Sequence, residues 1–227
     1  MKNYFLILFL LCLIISSFDE AYSEDDIQLN LDQFKLTDNV FETGLKLIAM
    51  PYGLHELEVY NNSQDTLVIA VHGNSSRGYE WVYPLQVINA EKNLITFFRW
   101  NDTDCFAPSV SILDDLIRKK ISEYKSIRKI TIYGHSYGGL LSSVFMDQWR
   151  GEFPLEVHAI ASPLKGINFL TKNCNYKTPQ RVPDKATLYE WRTIKNLDGA
   201  FKNLKEDPQN VKILGSIVTR LPETYKK

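Results

Sequence analysis

A serine set among glycines is the feature of this chain best suited to chemistry. Gly134-His135-Ser136-Tyr137-Gly138-Gly139 follows the β-branched and aromatic run Lys129 to Tyr133 and precedes the apolar segment Tyr137 to Arg150. In the pattern G-x-S-x-G between a strand and a helix, the serine is forced into a strained turn and its neighbours must lack bulk. Gly134, Gly138 and Gly139 supply that room. Such a turn lifts the Ser136 hydroxyl above a sheet and leaves the Tyr137 amide free at a helix N-terminus, where it can donate to a developing oxyanion. The bland alternative is a glycine-rich turn with no chemistry.

A second cluster, His72-Gly73-Asn74, closes the apolar run Thr66 to Val71. One helix-end amide is rarely enough for acyl transfer, and an amide from a loop after a neighbouring strand completes the oxyanion hole. The Asn74 N–H is the candidate for that donor. His72 lies on the oxyanion side and reads as a residue that shapes the loop rather than as a base.

These residues need a scaffold, and the pattern around them describes one. His55 to Tyr60 alternates as a strand, Thr66 to Val71 and Leu94 to Trp100 are buried strands, and Lys129 to Tyr133, Leu155 to Ile160 and Leu188 to Thr193 follow, with Val211 to Ile217 as a further strand candidate. Between Ser109 and Tyr124, apolar Val110, Ile112, Leu113, Leu116, Ile117 and Ile121 recur at helical spacing, with Asp114, Asp115, Arg118, Lys119 and Lys120 opposite. Strands joined by helices predict an α/β fold with a mostly parallel sheet covered on both faces. Pro163 to Lys185, with three prolines and several asparagines, reads as an irregular excursion from a strand tip, a place where chains often cover sites. Trp100 and Trp149 read as core, whereas Trp81 and Tyr83 follow the oxyanion loop and are candidates to line a pocket.

On V-I-A-V-H-G-N, I-Y-G-H-S-Y-G-G and A-I-A-S-P, the chain resembles the α/β-hydrolase superfamily from about Thr66 to Ile217, particularly its small exported lipase and esterase-like members. The resemblance implies that Ser136 is the nucleophile, that Asn74 and Tyr137 donate to the oxyanion, and that an acid and a histidine follow in chain order. It implies hydrolysis of carboxylic esters of lipids or small molecules. Asp198, beyond the strand Leu188 to Thr193, stands where family members carry the acid, with Asp207 and Asp184 as alternatives. An Asp-Gly turn is the plain reading of Asp198-Gly199.

The histidine has no obvious place. His55, His72, His135 and His158 are the four present, and none follows His158. His158, within a strand, reads as a packed core residue. Two expectations follow: a chain that lacks the C-terminal segment bearing the base, which the basic ending Tyr225-Lys226-Lys227 favours, or a natural protein that keeps the fold without it.

Composition excludes other classes. The chain has 227 residues, 44% hydrophobic and 23% charged, without repeats or biased tracts, enough for one core and unlike disordered chains. Lys2, the apolar run Tyr4 to Ile15 and Ala21-Tyr22-Ser23 read as a cleavable export signal over 1–23, leaving 24–227 as a single domain, secreted or periplasmic. Removing Lys2, Asp19 and Glu20 leaves 25 basic against 25 acidic residues, with no basic stripe to suggest nucleic acid. No later segment is apolar and long enough to span a membrane. In an oxidising compartment, Cys105 and Cys174 form either one disulfide or two separate small apolar residues. No H-E-x-x-H, paired cysteines, acidic calcium loop or phosphate loop occurs, so chemistry without metal or cofactor is expected. Oligomeric state is not readable.

Overall fold

The computed structural model describes residues 29–34 and 39–224; the expected signal, 1–23, lies outside them. Seven strands, β1 (Gly53–Glu56), β2 (Thr66–Val71), β3 (Asn93–Arg99), β4 (Lys129–His135), β5 (Leu155–Ile160), β6 (Ala186–Arg192) and β7 (Ile217–Arg220), form one sheet in the order β1-β3-β2-β4-β5-β6-β7. All neighbours run parallel except β1, which pairs antiparallel with β3. The helices are α1 (Val40–Ala49), α2 (Tyr79–Val87), α3 (Ala107–Glu123), α4 (Tyr137–Gln148) and α5 (Asn168–Asn173).

The central strands are apolar on both sides because both faces are covered. Leu67, Ile69 and Val71 of β2 pack with Leu113 and Ile117 of α3 and Leu140 and Phe145 of α4. Val68 and Ala70 of the same strand face Leu47 of α1 and Trp81, Val82 and Leu85 of α2. Each fully buried side chain of this kind contributes about 1.5–3 kcal/mol, before conformational entropy is set against it.

The order of connections decides where a site can form. From β2 the chain moves outward to β3, then crosses back to β4 on the other side of β2. The helices after β2 and β4 therefore fall on opposite faces, opening a crevice at the carboxyl ends of these two strands. The turns Val71–Asn74 and His135–Tyr137 both leave the sheet at that crevice.

Two strands differ from the expectation. The first spans Gly53–Glu56 rather than running to Tyr60, because the Glu58 carboxylate takes the Ile95 N–H (2.6 Å) that a continuing strand would have met with a carbonyl. The last begins only at Ile217: Gly215 adopts φ 89°, and Ser216 Oγ turns to donate to Glu190 (2.6 Å), so Val211 to Ser216 form a connector. The excursion 163–185 holds one short helix, α5. No helix among the described residues is long and apolar enough to cross a membrane.

Candidate active site

Ser136 stands between β4 and α4 with φ 52° and ψ −115°, a conformation that costs a non-glycine residue on the order of 1–3 kcal/mol. The surroundings hold it there. Ser136 N–H donates to Ile160 O of β5 (2.8 Å), and Ser136 O accepts from Gly139 N–H (3.1 Å). A Cβ on Gly134 would stand 2.6 Å from Gly138 O, and one on Gly138 would collide with the carbonyls of Val71 and His72. The glycines are thus required by backbone-to-backbone approach, and the loop after β2 is pressed against the turn: a Cβ on Gly73 would lie 3.1 Å from Ser136 Cβ.

The loop after β2 is fixed by the end of β3. Asn74 Nδ2 donates to Asp102 O (2.6 Å), and Ser75 N–H donates to Asp102 Oδ2 (2.5 Å). Asp102 is itself buried, with Arg99 at 3.8 Å. Among the described residues, the Asn74 and Tyr137 amides have no acceptor, which leaves both free for a ligand. The Tyr137 ring packs between Trp100 and Phe106, and its hydroxyl donates to Asp104 O (3.1 Å). Burial, with Asp102 and Asp104 nearby, pushes that phenol up to about 12, so it stays neutral.

Ser136 and Tyr137 border a cavity of about 580 Å³, in the range of small-molecule sites. Its apolar lining comes from Leu140, from Ile167, Phe169 and Leu170 of the excursion, and from Phe201 and Leu204. A disulfide joins Cys105, in the loop after β3, to Cys174, which caps α5, with Cα atoms 5.2 Å apart. It ties two parts of the cavity wall together. Trp81 and Tyr83, candidate pocket residues, are elsewhere: Trp81 is buried against Phe97 in the core on the α2 face, and Tyr83 points to solvent, because the chain enters α2 directly after Gly78.

Asp198 lies beyond β6, at the same carboxyl edge as Ser136. Its carboxylate accepts from Thr193 Oγ1 (2.6 Å) and Ala200 N–H (2.9 Å). Gln209, fully buried, binds Thr193 N–H (2.8 Å) and Thr193 O (3.2 Å), closing the loop behind Asp198. Residues Leu221–Glu223, just past β7, border the same recess as Asp198. Of the alternatives, Asp207 is engaged by Gln209 N–H (3.0 Å) and Arg220 (3.6 Å), and Asp184 precedes β6 and so lies at the opposite edge of the sheet.

The four histidines have other surroundings. His72 Nε2 faces donors from Arg99 (3.0 Å) and Trp100 N–H (3.3 Å), so the proton sits on Nδ1, toward Gly73 O (2.9 Å). Burial first, then Arg99, lowers its pKa. His55 Nε2 meets Pro51 O (2.7 Å). His158 is stacked between Tyr133 (4.4 Å) and Tyr189 (4.6 Å), accepts from Trp191 Nε1, and is held down to about 4 by burial. His135, next to Ser136 in the chain, has a buried Nδ1 without a partner among the described residues, and burial lowers its pKa although the charges of Glu80 and Asp198 reach it.

Sequence reasoning missed Asp102, Thr193 and Gln209, which act by hydrogen bonds that topology alone brings together. It also missed the apolar lining; the signal was Ile167, Phe169, Phe201 and Leu204 standing in otherwise polar loops.

No protein-family model and no curated protein matches the sequence. Solved structures do. The mature lipase BlEst2 of Bacillus licheniformis is 12% identical over 72% of this chain and 86% of its own, with a TM-score of 0.50. An α/β serine hydrolase without a lid from Xanthomonas campestris is 15% identical over 76% and 77% (TM-score 0.49), and a putative α/β hydrolase from Agrobacterium tumefaciens is 14% identical over 75% and 79% (TM-score 0.49). The chain has the α/β-hydrolase fold, a mostly parallel seven-stranded sheet with flanking helices. At such identities the likeness speaks to fold and to nothing finer.

Proposed function

We propose that this protein is a serine hydrolase of the lipase and esterase type, cleaving a carboxylic ester of a lipid or small molecule through an acyl-enzyme on Ser136. The observation that carries the reading is a serine held at φ 52° on the border of an apolar cavity of about 580 Å³. Strain of this kind persists where the surroundings over-determine it, as at a nucleophile. In this reading Ser136 Oγ attacks the acyl carbonyl, the Asn74 and Tyr137 amides receive the oxyanion, the alcohol leaves with a proton, and water frees the acid. Asp198 steers the base. The oxidised Cys105–Cys174 pair supports an exported protein, in keeping with the signal-like N-terminus.

The base itself is the weak link. Among the described residues, none of the four rings is hydrogen-bonded to a carboxylate, the partner that orients and charges a base. Binding and the oxyanion hole alone are worth about 10³–10⁴-fold over water in serine hydrolases lacking a triad member. The same observation favours a second reading, a non-catalytic binding protein that keeps the cavity.

Hydrolysis of p-nitrophenyl esters separates the two. Slow turnover above background that disappears in Ser136→Ala is expected; equal rates in both chains contradict the nucleophile. Intact ligand recovered with the purified protein, without turnover, belongs to the second reading.

A further inference from the structure

The cavity beside Ser136 divides its chemistry by origin. Its apolar side chains come from late segments, α5 with its approach and the turn after Asp198, as well as from Leu140 of α4. Its acidic ones come from a single early loop, Asp102 and Asp104 between β3 and α3. No Lys, Arg or His lines it among the described residues.

The two carboxylates are not equivalent. Asp102 is consumed by the structure, accepting from Ser75 N–H (2.5 Å) with Arg99 at 3.8 Å. Asp104 is exposed, and its carboxylate accepts only the neutral amide of Asn101 (3.0 Å); no cation among the described residues is within ion-pair distance. Nor is it on a loose loop. Its carbonyl is held by Tyr137 Oη (3.1 Å), and the next residue, Cys105, is disulfide-bonded to Cys174.

A fixed, uncompensated negative charge beside a cavity without cations discriminates among ligands by the charge of their polar end. We propose that the cavity takes an amphiphile with an apolar chain and an uncharged or cationic polar end, and that Asp104 is the residue that rejects anionic ones. Joined to the hydrolase reading, on which this clause rests, the substrate is a fatty acyl ester whose alcohol part is neutral or carries a quaternary ammonium. A carboxylate about 7 Å from an anionic head group, at an effective dielectric of about 40, lowers affinity by about tenfold.

Calorimetric binding of decyltrimethylammonium, decyl glucoside and decyl sulfate, each below its micelle concentration, tests this on the full chain and on Asp104→Asn and Asp104→Lys, with circular dichroism to check folding. The expected order is cation above neutral, and neutral about tenfold above anion; the differences narrow in Asp104→Asn and invert in Asp104→Lys. Equal affinities, no binding of any of the three, or a preference that survives Asp104→Asn overturns the proposal. Binding needs no activated serine. A chain that keeps this order, in the wild type and in Ser136→Ala, yet turns over no ester leaves the inference standing and overturns only the hydrolase reading.

Discussion

The two halves of the candidate site are built differently. Around Ser136, backbone is packed on backbone: β2, β4, β5 and α4 meet through glycines with no room for a methyl group. Around Asp198, a partly exposed loop is closed by side-chain hydrogen bonds from Thr193 and Gln209, beside β7, whose four residues are all exposed. The Ser136 half is therefore rigid by steric necessity, while the Asp198 half is held by side-chain hydrogen bonds.

That contrast can be broken from the outside in. Replacing both Cys105 and Cys174 by Ala releases the excursion from the loop after β3; for a loop closed over 69 residues the expected loss is about 4 kcal/mol, read by urea unfolding. A loss well under 1 kcal/mol would mean that packing of Tyr176 and Leu170 alone holds the excursion. Gly138→Val drives a side chain into the carbonyls of Val71 and His72 and costs about 3 kcal/mol, with loss of any Ser136 reactivity.

Acid tests the sheet behind the site. His158 is held near 4 by burial, below the usual value of about 6.5, so protons favour the unfolded chain. Its contribution to stability is complete above about pH 6.5 and is lost as the pH falls toward 4, on the order of 2 kcal/mol after allowance for solvent screening. His158→Gln should flatten unfolding midpoints across that window; an unchanged slope would assign the acid sensitivity to His72 and His135, whose pKa values burial also lowers. The smallest effect has the opposite sign. Ser136→Gly relieves the φ 52° strain and should raise stability by about 1 kcal/mol while removing the hydroxyl, and a loss of stability instead would show that the turn is not strained.

How far the sequence could be read follows the same division. The central strands and α3 were legible because a buried parallel sheet leaves continuous apolar runs, as in Thr66–Val71, and a covering helix leaves a 3.6-residue stripe, while α4 was legible as the apolar segment after the glycine turn. The elbow was legible because only glycine fits at Gly134 and Gly138. The helix α2 was not, since Pro84 interrupts a segment whose apolar residues show little one-sidedness. Strand β7 was displaced because Ile213 and Val211 alternate with polar residues yet pack as a connector, with the turn at Gly215 moving the pairing to Ile217–Arg220. The roles of Thr193, Gln209 and Asp102 depend on contacts between distant segments, and no local pattern announces them.

The central claim is that Ser136 is a nucleophile held ready by the fold. A fluorophosphonate probe, applied to the purified chain with Ser136→Ala as control and the modified peptide read by mass spectrometry, tests it most directly. Covalent labelling confined to Ser136, slow and absent from the variant, is the predicted result. No labelling of a demonstrably folded chain, or equal labelling of the variant, would contradict it.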